Sequence, residues 1–213
     1  MSNLVQRAGE VNETDSDLIL QKKADELKER ATCKAESYTL YEKLSDSQKE
    51  GRTKMLHKAC RYDGRSDDVL ALQCVIEDGC DLESLFDSKE FLGIKQGEDR
   101  EATNSIGQCT AAHIACVTGH DRALMCLVQH GANYEAQNIN GNRPLLAACS
   151  NGHQLCVKYL LTQGADLREV NNSGETAWRV AFERHDYKGK AICKMLEEEG
   201  YEAEVKDTGC SIS

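Results

Sequence analysis

The feature that most constrains this chain is a sequence written out three times at a fixed interval. Thr110-Ala-Ala-His-Ile-Ala-Cys-Val-Thr-Gly-His120 returns as Arg143-Pro-Leu-Leu-Ala-Ala-Cys-Ser-Asn-Gly-His153. At the same interval again, Thr176-Ala-Trp-Arg-Val-Ala-Phe182 begins it a third time. Gly131-Ala-Asn and Gly164-Ala-Asp close the first two of these units at the same spacing. A fixed period of this length means one supersecondary unit stacked on copies of itself, because a single unit cannot bury its own apolar face.

Within each unit the apolar residues recur at helical spacing, as in Ala123, Leu124, Leu127 and Val128, or Cys156, Val157, Leu160 and Leu161. The Gly after each run suits the left-handed residue that ends a helix. Pro144, the single Pro of the chain, falls where a first helical turn tolerates a missing N–H. Each unit therefore reads as helix, Gly-His turn, helix, Gly stop and a polar Asn/Gly-rich connection.

These residues resemble the ankyrin-repeat family, whose unit carries Thr-Pro-Leu-His-x-Ala over the same period. The resemblance implies an all-α solenoid of helix-turn-helix units joined by β-hairpin-like loops. Ala111-Ala112 stands in place of Pro-Leu, Arg143 in place of Thr, and Leu146 and Arg179 in place of His. These departures are expected to weaken local capping and leave the register intact.

The expected organisation is a disordered N-terminus over 1–14, an amphipathic capping helix over 15–45, a repeat domain over 46–204 and a flexible tail over 205–213. Its four units are 51–85, 104–137, 138–170 and 171–204, with an inserted loop at 86–103. The first is degenerate, running from Leu56-His57-Lys-Ala59-Cys60 to Gly79-Cys-Asp81, with extra residues around Asp63 to Asp68. The last is lengthened near Asp186 to Lys190, and atypical end units are what a capped solenoid requires. Leu20, Ala24, Leu27, Ala31, Tyr38 and Tyr41 form a stripe on the leading helix, broken by Lys34. The stripe reads as covering the open end of the first repeat, with a partner-binding helix as the alternative. Ser47-Gln-Lys-Glu50 has capping-box spacing for the next helix. In the insertion, Phe86, Phe91, Leu92 and Ile94 are candidates to dock while Gly97 to Glu101 read as exposed, which makes a long projecting finger or loop, with a disordered segment as the equal alternative.

Acidic residues exceed basic ones by 36 to 26, for a formal charge of −10. The excess is diffuse, and a nucleic-acid partner would need clustered Lys and Arg. No apolar run approaches the roughly 18–20 residues that span a bilayer, and the N-terminus lacks the order of a signal peptide. A cytoplasmic or nuclear protein is expected, with its 11 Cys as thiols. Cys109, His113, Cys116 and His120 have the spacing of zinc ligands. However, His113 and His120 occupy places where the resembled family has His, and Cys116 holds a small-residue site shared by Cys60 and Cys149. Packing explains the spacing without a metal. Cys74, Cys126, Cys156 and Cys193 fall among the apolar residues of second helices, whereas Cys33 and Cys80 are candidate surface thiols. The sequence holds no phosphate-binding Gly-rich loop, His-Glu-x-x-His helix or Gly-x-Ser-x-Gly elbow, so neither enzyme nor cofactor is expected. A Cys-dependent enzyme or zinc protein is the remote alternative.

Cys210-Ser-Ile-Ser213 matches a prenylation box whose terminal Ser favours farnesyl. One lipid chain gives marginal, reversible binding, and the acidic approach Glu197 to Glu204 would be repelled by anionic leaflets. The expected function is a monomeric, non-enzymatic protein-interaction module with a protein partner and weak peripheral membrane association. Its alternative is a soluble regulator of an enzyme or transcription factor, without lipid. The resemblance implies binding through the fingertips and the inner helices. The fingertip candidates are Gln137, Asn138, Asn140, Asn142, Asn171, Asn172, Ser173 and Glu175; the inner-helix candidates are Val117, Thr118, Ser150, Asn151, Glu183 and Arg184. This polar, weakly acidic set suits a partner with hydrogen-bond donors or basic side chains, although turn chemistry alone would select at least half of the fingertip residues.

Overall fold

A computed structural model describes residues 13–60, 68–87 and 108–201. A long helix, α1 (Glu13–Glu42), precedes four helix pairs: α2 (Asp46–Cys60) with α3 (Asp68–Glu77), α4 (Ala111–Thr118) with α5 (Asp121–Gln129), α6 (Pro144–Asn151) with α7 (Gln154–Thr162), and α8 (Ala177–Glu183) with α9 (Tyr187–Glu198). The first helices α2, α4, α6 and α8 stack in one layer and the second helices in another. Small residues permit the close stacking: Ala111, Ala112, Ala115 and Cys116 in α4 meet Ala147, Ala148 and Cys149 in α6, all buried. The second helices supply the bulk, with Leu72, Leu124, Leu127, Leu160, Ile192 and Leu196 almost wholly enclosed. Each such side chain contributes about 2 kcal/mol of apolar burial. One continuous core runs from Leu56 to Tyr201. Its far end is closed by Trp178, which stacks on Phe182 and Tyr201 at 5.0 and 6.1 Å and donates Nε1–H to Glu197 at 3.1 Å.

The turns that join the paired helices depend on the following repeat. Gly119 and Gly152 end α4 and α6 in the left-handed region, at φ 77° and 76°. A Cβ on Gly119 would lie 2.3 Å from Nδ1 of His153, a residue of the next repeat. In the fourth repeat the equivalent place, one period after Gly152, is His185 at φ 54°, exposed and with no further repeat packed on it among the described residues. The extra residues of this repeat lie within α9: it starts one full period after α7 but has 12 residues against 9, nearly one more turn.

The leading helix packs differently from the stripe expected of it. Leu27 is 62% exposed and Tyr38 46% exposed, and Ala31 also faces solvent. The docking side chains are polar. Ser37 Oγ lies 2.9 Å from the Ile76 carbonyl and 3.1 Å from the Cys80 carbonyl, and accepts the Cys80 N–H at 3.1 Å. Lys34, which interrupts the stripe in the sequence, pairs with Glu83 at 2.8 Å. Arg30 Nη1 donates to Gln163 Oε1 at 3.0 Å, and Gly131 comes so close that a Cβ there would lie 2.7 Å from the Arg30 carbonyl oxygen. Thus α1 lies across the ends of the second helices of three repeats instead of sealing the open end of the first. The physical reason is the surface it meets: helix C-terminal ends and loops offer unpaired carbonyls and carboxylates, which polar side chains satisfy. The capping box of α2 is likewise displaced from its expected place, with Ser45 and Gln48 exchanging bonds at 3.0 and 3.4 Å.

The insertion between repeats one and two is bracketed by a short antiparallel ladder. Strand β1 (Phe86–Asp87) meets β2 (Gln108–Cys109), pairing Phe86 with Cys109 and Asp87 with Gln108. Its interior, with Phe91, Leu92, Ile94 and Gly97 to Glu101, lies outside the described residues, as do the segment 61–67, the N-terminal 1–12 and the tail with Cys210. Among the described residues, no helix is long and apolar enough to cross a membrane.

Candidate protein-binding groove

The fingers between repeats are built by asparagines acting on their own backbone. Asn138 Oδ1 accepts the N–H groups of Asn140 and Asn142 at 2.9 Å, and Asn171 Oδ1 does the same for Ser173 and Glu175. Asn171 Nδ2 then donates to Asn142 Oδ1 at 2.9 Å, linking one finger to the next. Farther out, Asn172 donates to the carbonyls of Asn140 and Ile139, both at 3.1 Å. Asn138, Asn142 and Asn171 are therefore buried and spend their side chains on finger shape.

Imidazoles tie the inner helices to the fingers. His113 is fully buried: its Nδ1 accepts the Thr110 N–H at 3.4 Å, and Nε2–H donates to the Asn142 carbonyl at 2.8 Å. Burial pulls its pKa down to about 4, although the Asn142 carbonyl favours the charged form. His57 stands in the same relation to Cys109, with Nε2 3.3 Å from the carbonyl oxygen. At the other end of the inner helices, His153 Nε2–H donates to the Val117 carbonyl at 3.0 Å, and Arg184 takes over this role for the Ser150 carbonyl.

Between repeats three and four the surface opens into a groove of about 600 Å³, within the range of ligand clefts. Of the sequence candidates, Asn140, Asn142, Ser150, Asn171, Asn172, Ser173, Glu175, Glu183 and Arg184 line it together. Leu146 and Val180 also line it; the sequence marked Leu146 only as a departure from the family motif and did not single out Val180. The remaining candidates lie elsewhere. Gln137 is exposed, Asn138 is buried, and Val117 packs against the core; Thr118 bonds the Ile114 carbonyl at 2.9 Å and Asn151 the Ala147 carbonyl at 2.8 Å.

The groove carries two carboxylates. Glu175 is half-buried and accepts from Asn171 Nδ2 at 2.7 Å; Glu183 is exposed and pairs with Arg179 at 3.0 Å along the same helix. An exposed pair of that kind is worth a few tenths of a kcal/mol, roughly, and leaves the carboxylate open to other cations. The guanidinium of Arg184 is engaged by the Ser150 carbonyl and by Asp186, whose carboxyl it holds below the usual range together with the Gly189 N–H.

The thiols are arranged for packing. Burial pushes Cys80 up to about 12 and Cys126 and Cys193 up to about 11, and raises Cys60, Cys116 and Cys149 well above the ordinary thiol value. They stay protonated near neutrality and act as small apolar groups. Cys80, a candidate surface thiol from the sequence, is buried, whereas Cys74 is exposed.

Helix pairs on a common register, left-handed turns and Asn-closed fingers together define a class, and comparison with known proteins agrees. The chain belongs to the ankyrin-repeat family, whose repeat pattern matches residues 82–171 and 113–207. Among curated relatives it is similar to the target of rapamycin complex 2 subunit AVO2 of Saccharomyces cerevisiae, at 31% identity over 54% of this chain and 28% of that protein. It is similar to protein phosphatase 1 regulatory subunit 12A of Mus musculus, at 35% identity over 46% of this chain and 9% of that protein. Rabankyrin-5 of Mus musculus is 30% identical over 62% of this chain and 11% of its own length. The chain thus spans little more than a quarter of the first of these relatives and about a tenth of the other two.

Proposed function

We propose that this chain is a non-catalytic interaction module that holds a protein partner in the groove between repeats three and four. The observation that carries the reading is the convergence of nine separately placed polar residues on one open groove of about 600 Å³. Relatives named as a complex subunit and a phosphatase regulatory subunit support an adaptor or regulatory role. The test is affinity capture from eukaryotic cells with the wild type and with Ser150→Arg, which fills the groove with a long side chain, after circular dichroism has matched the two folds. A discrete set of proteins held by the wild type and released by the variant is expected. Identical sets from both would remove the groove from the account.

The same reading places a monomer in the cytoplasm or nucleus, reversibly attached to membranes through a farnesylated Cys210 and without nucleic-acid binding. Its support is the terminal Cys-Ser-Ile-Ser sequence. Intact-mass measurement and membrane fractionation of wild type beside Cys210→Ser test it. An unmodified wild-type mass leaves the soluble regulator.

A further inference from the structure

Three backbone carbonyls, those of Cys109, Asn142 and Glu175, are each separated by one repeat period and occupy the same place in successive fingers. In the first joint the imidazole of His57 reaches this carbonyl, and in the second His113 donates to it at 2.8 Å. In the third joint the aligned residue is Leu146, whose side chain has no N–H to give. Among the described residues, the Glu175 carbonyl accepts only the Asn171 N–H, at 3.1 Å. A carbonyl oxygen has two lone pairs, so a donor is missing here that both earlier joints supply. The groove lies at this joint, with Leu146 and Val180 as its apolar lining.

Resting on the groove reading above, we propose that the partner completes the third joint. An extended basic segment lies along the groove, and one Lys or Arg provides the donor that Leu146 lacks, between the Glu175 carbonyl and the carboxylates of Glu175 and Glu183. A neighbouring aliphatic side chain rests on Leu146 and Val180. Charge selects this occupant. The lining carries two carboxylates, its guanidinium is already engaged by Asp186 and the Ser150 carbonyl, and the whole chain carries −10. An acidic or phosphorylated segment would meet like charge on entry.

The probe is a phage-displayed library of random peptides selected on the full chain, the winners being synthesised with a fluorophore and titrated by anisotropy. Enriched peptides are expected to pair Lys or Arg with a nearby Leu, Ile or Val. Glu175→Gln combined with Glu183→Gln, which keeps side-chain shape, should weaken them at least tenfold. Leu146→His, which installs the imidazole found in the second joint, should weaken them at least tenfold while leaving the urea midpoint unchanged or higher. Enrichment of acidic peptides, or of none, overturns the proposal, as does equal binding to both variants. If Ser150→Arg alone abolishes binding, the groove reading stands and the joint proposal falls. If Ser150→Arg also has no effect, both fall.

Discussion

Repeats two and four share a register but differ at two places that repeat two fills in the family's way. Where repeat two has His113, buried and bonded into the next finger, repeat four has the half-exposed Arg179, paired with Glu183 on its own helix. Where repeat two has Gly119 beneath the ring of His153, repeat four has His185, left-handed and exposed. Both differences coincide with whether another repeat packs on the unit among the described residues. The His and Gly that look like properties of a unit belong to the joint between units. Repeat three breaks this pattern, since a repeat follows it and Leu146 still provides no bridge.

The largest expected effect tests the His113 joint by acid. Its folded pKa, about 4, lies below the ordinary 6.5, so the unfolded chain binds the proton first. Its contribution is complete above about pH 6.5 and disappears as the pH falls through about 4, a loss of about 3 kcal/mol. Burial shifts His57 and His153 in the same direction. Urea unfolding at pH 7.5 and pH 5 should show a steeper loss in the wild type than in His113→Leu, which copies repeat three; equal losses would break the comparison. Next in size, Gly119→Ala should cost about 2 to 3 kcal/mol, because the new methyl displaces His153 from the Val117 carbonyl and the residue keeps a positive φ. A cost well below 1 kcal/mol in urea would mean that the following repeat does not dictate this turn. The smallest effect runs the other way: His185→Gly should gain about 1 kcal/mol and raise the thermal midpoint, since glycine adopts the positive φ freely and the ring it gives up makes an edge contact with Phe182 at 6.2 Å.

The repeat register was legible because backbone geometry enforces it: Gly119, Gly152, Gly131 and Gly164 are all left-handed in the structure. The leading helix was legible as a helix, but its docking face was not. Apolar periodicity identifies a face that packs on apolar surface, and this helix is fixed by Arg30, Lys34 and Ser37 against loops. At the groove the polar lining could be read from the family pattern. The burial of Asn138, Asn142 and Asn171 could not, because a turn-forming and a partner-binding asparagine look the same in one dimension. Leu146 was noticed as a departure from the motif. What its lost imidazole does depends on Glu175, which is distant in sequence and meets it only when the units stack.

The bond between Arg30 and Gln163 closes a span of 133 residues in an architecture whose units otherwise meet mainly their immediate neighbours. A plain linear array frays one unit at a time from either end. Because α1 ties the first three units to one another through Ser37, Gly131 and Arg30, unfolding is expected to begin more readily on the C-terminal side. The unit expected to loosen first is thus the fourth, which forms one wall of the groove.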